Sequence, residues 1–184
     1  MSAPFTLTDL VQALERSGNA VALLASHLSD DEARWQPGPG RWSALEIINH
    51  LADEESADFR TRLALLLHAP REAWPPIDPQ RWVQQRRYNE RSLLPSVERF
   101  LTERQASLQQ LLSWAEPEWQ ARRGSLSAAD LAASWQAHDL LHLRQLAEVR
   151  YLYLETQGYN LEYAGMWPGL RRSPEEPAEL EANA

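Results

Sequence analysis

Residues 69–91 read APREAWPPIDPQRWVQQRRYNER, and this proline-rich connection decides how the predicted helices are arranged. Four prolines interrupt it, which leaves only a short helical turn around residues 81–88. Antiparallel neighbouring helices need only about two to eight residues of loop. A connection of this length can instead run the length of a bundle and start the next helix in the direction of the previous one.

Four segments with helical periodicity surround this connection, and residues typical of helix ends bound each of them. The predicted helices span about residues 8–28, 43–68, 92–114 and 127–158. Thr8 is predicted to cap the first helix, and capping-box patterns begin the second and fourth. No strand-like alternation is visible. The pattern predicts an all-α, four-helix bundle with a long crossover between helix 2 and helix 3.

The length and composition predict one domain. The chain has 184 residues, of which 43% are hydrophobic, so a single core of ordinary size is available. We assign residues 1–170 to this domain and predict that the acidic segment 171–184 is disordered. The chain has no cysteine, so a bound metal must be held by His, Asp or Glu.

The charge distribution argues against nucleic acid and membranes as partners. The 26 acidic residues outnumber the 18 basic ones, which are all Arg and are scattered, and the net charge is -8. The start of the sequence lacks the pattern of a signal peptide, and an apolar run such as residues 63–67 is too short to span a bilayer. We therefore expect a cytoplasmic protein.

Two of the five histidines form the most informative pattern. His138 and His142 lie four residues apart, so on a helix their Cβ atoms are about 5–6 Å apart and both imidazoles can bind one metal. Together with Gln145 they occupy the core-facing seam of the fourth helix, where unpaired polar groups are costly. A metal with bound water would satisfy them, and a hydrogen-bonded core pair is the alternative.

A third ligand must come from another helix, and His50 is the candidate. It lies at the flank of the apolar arc of helix 2 and can turn inward. His68 lies 18 residues further along the same helix, about 27 Å away. His68 and His27 lie at predicted helix C-termini, so we interpret both as structural.

Two better-known motifs fit less well. The letters HDLLH (residues 138–142) resemble the His-Glu-x-x-His helix of metalloproteases, but Asp139 stands in place of the glutamate and has a shorter reach. His-Asp phosphohydrolases need a further aspartate later in the chain, and no Asp follows Asp139.

Two motifs carry a family resemblance: WSALEIINHLADEE (residues 42–55) and HDLLHLRQL (residues 138–146). With the intervening segments, residues 5–157 resemble the DinB-like superfamily. The resemblance implies a four-helix bundle of down-up-up-down topology and a divalent metal on His50, His138 and His142. Dimers are common in this superfamily, so the resemblance also implies a homodimer. It further implies that the protein is a thiol-dependent transferase or a hydrolase that acts on a small molecule.

Further side chains near these histidines are candidate site residues. We expect Trp42 and Trp135 to form pocket walls, and plain core packing is the alternative for both. Glu54 could orient a ligand imidazole, accept a proton or bind the metal, whereas Asp53 is expected to point outward. Gln145 could hydrogen-bond a metal-bound water. The metal itself remains open among Zn, Ni, Fe and Cu, all of which imidazoles bind.

Three functions follow as hypotheses. The first is a metal-dependent enzyme acting on a small molecule, with a low-molecular-weight thiol as one candidate. The second is a non-catalytic metal- or ligand-binding module related to stress. The third is a purely structural bundle whose buried histidines bind each other and Glu54.

Overall fold

The structure is a computed structural model, and it describes residues 6–165. Its elements in chain order are α1 Leu7–Ala25, α2 Asp30–Arg34, α3 Ala44–Glu54, a π-helical turn Glu55–Phe59, α4 Arg60–His68, α5 Pro79–Gln85, a 3-10 turn Tyr88–Glu90, α6 Leu93–Leu112, β1 Arg122–Arg123, β2 Leu126–Ser127, α7 Ala128–Thr156 and a 3-10 turn Glu162–Ala164. The predicted acidic tail, residues 171–184, lies outside the described residues.

Four long helical rods form a four-helix bundle, as predicted. One rod is α3, the π turn and α4 taken together, and the others are α1, α6 and α7. α1 packs against α6 and α7, and α3 packs against α6. The long crossover from α4 to α6 contains α5 and gives the down-up-up-down order. Within residues 6–165, no helix is both long enough and apolar enough to cross a bilayer.

Local sequence signals explain most of the helix starts. Ser43 and Ser127 both begin helices with complete capping boxes, as the sequence predicted. The predicted Thr8 cap is wrong, because Thr6 caps α1 instead. The Thr6 hydroxyl accepts the Asp9 backbone N–H at 3.1 Å and donates to the Asp9 carboxylate at 2.6 Å, so the acid that completes this pattern fixes the start.

A small antiparallel hairpin before α7 was not predicted. Arg122 pairs with Ser127 and Arg123 pairs with Leu126. Gly124 supplies the positive φ of 62° that the tight turn requires. Strands of two residues are too short to show alternation, so no sequence pattern reveals them.

The interior of the bundle contains two apolar clusters with a polar layer between them. One cluster contains Val21, Leu51, Phe100 and Val149 among others. The second cluster contains Leu14, Leu63, Leu108 and Trp135 among others. The buried polar residues Glu54, Arg104 and Asp139 lie between these positions on their helices, and buried His50 directly precedes Leu51. This layer holds the candidate functional residues.

Candidate metal centre

Three imidazoles from two rods converge in the polar layer. His50 comes from α3, and His138 and His142 come from α7. The Nε2 atom of His50 lies 3.2 Å from that of His138 and 3.1 Å from that of His142, and the remaining pair is 3.1 Å apart. The structure therefore brings together all three histidines that the sequence singled out.

The spacing of these nitrogens fits one small cation. With metal–nitrogen distances of about 2.0–2.1 Å, neighbouring ligand atoms lie about 2.9 Å apart in an octahedron and about 3.3 Å apart in a tetrahedron. The observed separations of 3.1 to 3.2 Å fall between these values. Within the described residues, this is the group of His, Asp and Glu side chains whose ligand atoms are close enough to hold a metal.

The three imidazoles are in the neutral form that metal binding requires. Burial, followed by the charges of the other two rings, lowers the pKa of His50 to about 2. Burial and the charge of His142 lower the pKa of His138 to about 4, and burial also lowers the pKa of His142. Near pH 7 their ring nitrogens therefore keep lone pairs available for a cation.

Gln145 fixes the tautomer of one of the three imidazoles. His142 donates its Nδ1–H to Gln145 Oε1 over 2.9 Å. With the proton on Nδ1, the neutral ring presents the Nε2 lone pair to the other two histidines. The structure thus places Gln145 behind His142, where it orients the imidazole.

Glu54 lies behind His50 in a similar position but at a longer distance. Its Oε1 atom is 4.0 Å from His50 Nδ1, and each of these two buried atoms has no hydrogen-bond partner among the described residues. Burial, followed by the hydrogen bond and charge of Asp58, raises the pKa of Glu54 to about 8. The carboxyl group is therefore largely protonated near pH 7 in the metal-free protein.

A π turn directly follows Glu54 and changes which side chains face inward. Glu55, Asp58 and Phe59 within it are all buried. The Phe59 ring lies 5.1 Å from the His138 ring, so it covers one side of the imidazole cluster. Such turns are frequent at functional sites, where they redirect side chains without breaking the helix.

A cavity of about 410 Å³ opens beside the cluster. Its lining residues are Gly40, Arg41, Trp42, His50, Pro79, Gln80, His142 and Gln145. The Trp42 ring lies 4.8 Å from the His50 ring and is stacked against His142 at 6.2 Å. Trp42 therefore forms a wall of this cavity, whose volume is typical of small-molecule sites.

Trp135, the second tryptophan that the sequence singled out, lies elsewhere. Its side chain is 1% exposed, and its indole N–H donates to Glu55 Oε1 over 3.0 Å. Its ring stacks on Phe59 at 5.6 Å, and within the described chain it is absent from the cavity lining. Trp135 therefore contacts the imidazole cluster through Phe59.

Asp53 does not point outward, so that expectation is wrong. It is 3% exposed and accepts hydrogen bonds from the Tyr88 hydroxyl and the Arg99 guanidinium, with Arg86 at 2.5 Å. The hydrogen bonds of these donors hold its pKa below the usual value although burial acts in the opposite direction. Its partners come from the crossover and α6, which the pattern of helix 2 alone does not reveal.

A buried ion network next to the imidazole cluster was also missed. Arg104 binds both oxygens of Asp139, at 2.7 and 2.9 Å, and Glu55 at 2.6 Å. Asp139 follows His138 in the chain, so the network fixes the segment that carries this imidazole. Gly18 leaves room for Arg104, because a Cβ atom at this position would lie 3.2 Å from Arg104 Cγ. Because both Asp139 oxygens accept hydrogen bonds from Arg104, Asp139 is not placed to act as the base of a metalloprotease motif.

Comparisons with known proteins identify a family and a similar fold. The sequence model of the DinB superfamily matches residues 13–146. A similar solved structure is YfiT from Bacillus subtilis, described as a probable metal-dependent hydrolase with an unusual four-helix bundle topology. The two chains are 14% identical with a TM-score of 0.70, and the match covers 87% of this chain and 94% of YfiT. No curated protein sequence matches this chain.

Proposed function

This chain belongs to the DinB superfamily, and we propose that it is a metal-dependent enzyme that acts on a small molecule. The observation that carries the proposal is the convergence of three neutral imidazoles with Nε2 separations of 3.1 to 3.2 Å, two of which, His50 and His142, line an open cavity. The similarity to YfiT, a probable metal-dependent hydrolase, supports it.

We propose hydrolysis or thiol-dependent group transfer as the reaction. His50, His138 and His142 would hold a divalent cation such as Zn, Ni or Fe, which would supply Lewis-acid chemistry for ionising a nucleophile near neutral pH. The two reactions differ only in whether water or a low-molecular-weight thiol is the nucleophile. The cavity of about 410 Å³ admits either nucleophile together with a small substrate.

The protein side chains position the ligands and the substrate. Gln145 holds His142 through the hydrogen bond of 2.9 Å to Nδ1. Glu54 orients His50 from the Nδ1 side of the ring, opposite the Nε2 atom that faces the other two histidines. Its Oε1 atom lies 4.0 Å from Nδ1, and a small shift of the carboxyl group towards the ring would make a hydrogen bond. Trp42 packs against both rings and provides an apolar surface for the substrate. His50, His138 and His142 are the proposed metal ligands.

Metal content is the first test. Protein purified without a His tag is analysed for bound elements, alongside His138→Ala and the matched control His27→Ala, whose imidazole is exposed after α1. We expect about one divalent cation per chain in the wild type and in His27→Ala, and a large loss in His138→Ala. Wild-type protein that binds no stoichiometric metal would leave only the structural role for the buried histidines.

Turnover is the second test and separates an enzyme from a binding module. Ester and amide substrates, and a panel of thiols with electrophilic acceptors, are assayed with the same three proteins. We expect turnover that requires metal and is lost in His138→Ala but kept in His27→Ala. Equal activity in His138→Ala refutes the catalytic assignment, and a metal-loaded protein without turnover supports the non-catalytic binding module instead.

A further inference from the structure

The charged residue on the cavity wall points to the class of ligand. We propose that the cavity takes a small molecule that carries a carboxylate, and that Arg41 binds this group while the rest of the molecule extends towards the imidazole cluster. This inference rests on the proposed function, since it names the substrate class of the same site. Among the Arg, Asp and Glu residues at positions 6–165, Arg41 alone lines the cavity.

The loop before α3 places Arg41 at the cavity. The Arg41 backbone N–H donates to Gly38 O over 3.1 Å, which closes a turn. Gly40 has a positive φ of 73°, a conformation that a side chain at this position would disfavour. The chain then runs through Trp42 to the Ser43 cap of α3, so Arg41 is held close to the helix that carries His50.

The guanidinium of Arg41 keeps donors available for a ligand. Its Nη2 donates to Glu148 Oε1 over 2.6 Å. In the described part of the chain, its Nε and Nη1 groups donate to no protein atom, and the side chain is 34% exposed. A charge-assisted hydrogen bond from these groups is the strongest polar contact that this cavity wall offers an anion.

The local charges favour a single negative charge on the ligand. Glu148 also receives Arg144 Nη1 at 3.2 Å, so two guanidinium groups share one carboxylate and one positive charge remains. Neither Asp nor Glu lines the cavity in residues 6–165. This positive charge on the cavity wall attracts an anionic group of the ligand, and a carboxylate carries the matching single charge.

The test measures ligand binding rather than turnover. Wild type, Arg41→Met and Arg144→Met are loaded with Co(II), and 4-mercaptobutyrate and 6-mercaptohexanoate are titrated, each alongside its primary amide. The thiolate absorption band on cobalt reports binding, and each pair differs only in the charge at the far end. Arg144→Met is the matched control. Like Arg41→Met, it removes one guanidinium partner of Glu148, but residue 144 does not line the cavity.

We expect at least one carboxylate to bind the wild type about tenfold more tightly than its amide. Arg41→Met should abolish this preference, Arg144→Met should keep most of it, and Arg41→Lys should keep a part. In the wild type the preference should also weaken with added salt, a readout that does not depend on whether a variant folds.

Three results overturn the inference in distinguishable ways. Equal binding of acid and amide to cobalt-loaded wild type refutes it and leaves the proposed metal site intact. An equal loss of preference in the two Met variants shows a general charge effect and removes the assignment to Arg41. Wild-type protein that binds no cobalt refutes the proposed function, and this inference falls with it.

Discussion

Replacing Arg104 with methionine is expected to destabilise the metal-free protein strongly. Arg104 is 2% exposed and joins Asp139 on α7 to Glu55 in the π turn, and it also donates to Leu14 O on α1 over 2.6 Å. One side chain on α6 therefore ties all three other rods of the bundle together. Burial lowers its pKa, but the two carboxylates raise the pKa by more, so the guanidinium stays charged.

The magnitude follows from what the variant leaves behind. Methionine fills part of the space but leaves two buried carboxylates, Glu55 at 2% and Asp139 at 1% exposure, without their cation. Breaking a buried ion pair by removing one partner costs about 3–5 kcal/mol. Total unfolding free energies are about 5–15 kcal/mol, so this loss is a large share of the stability.

Urea denaturation of metal-free protein, followed by far-UV circular dichroism, gives the free energy of unfolding by linear extrapolation. Arg99→Met is the matched control, since Arg99 also lies on α6 and pairs with a buried carboxylate, that of Asp53. Its side chain is 34% exposed, and Asp53 keeps Arg86 and Tyr88 as partners, so we expect a cost below about 1 kcal/mol. Similar costs for the two variants, or a cost below about 1.5 kcal/mol for Arg104→Met, would refute the reasoning.

Three further predictions concern the imidazole cluster. In metal-free protein the folded-state pKa values of His50 and His138 lie below the unfolded value of about 6.5, so the unfolded chain binds more protons below this pH and stability falls on acidification. The raised pKa of Glu54 acts in the opposite direction, because its protonated form is favoured in the folded state. The two histidines give the unfolded chain nearly two extra protons in this range and Glu54 offsets about one, so the free energy of unfolding should fall by about 1 kcal/mol per pH unit between pH about 6 and 5. A flat urea-denaturation profile would contradict the assigned pKa values. His142→Ala should lose the metal, by elemental analysis, yet keep the helical circular dichroism of the metal-free wild type, because the apolar clusters on both sides of the layer are unchanged; unfolding of the variant alone would contradict this. Gln145→Leu should weaken metal binding about 10- to 100-fold in a competition assay with a chelator, since the Nδ1–H of His142 loses its acceptor, and unchanged affinity would remove Gln145 from the orienting role.

Part of the candidate site could be predicted because helix periodicity fixes relative positions within one segment. The spacing of His138 and His142 placed both rings on one face of α7, and the capping box at Ser43 fixed where the helix that carries His50 begins. The π turn could not be predicted in the same way. It changes the register of the rod, and a pattern based on 3.6 residues per turn does not show it.

Other parts depended on partners far away in the chain. Trp135 lies one turn before His138 on the same seam, yet Phe59 from another rod comes between it and the cluster. Asp53 would face water on an isolated helix, but Tyr88, Arg86 and Arg99 enclose it. These outcomes depend on how the rods pack against one another, and the periodicity within one segment does not predict that packing.

By itself the sequence determined the four helices, most of their caps and the long crossover, because hydrogen bonds and side-chain spacing within each segment specify them. It also determined that three imidazoles can face the interior. Only the tertiary structure decided that their nitrogens meet at 3.1 to 3.2 Å, that Arg104 joins four rods, and that Arg41 lies on the cavity wall. These distances join residues from separate segments, and the packing of rigid helices against one another sets them.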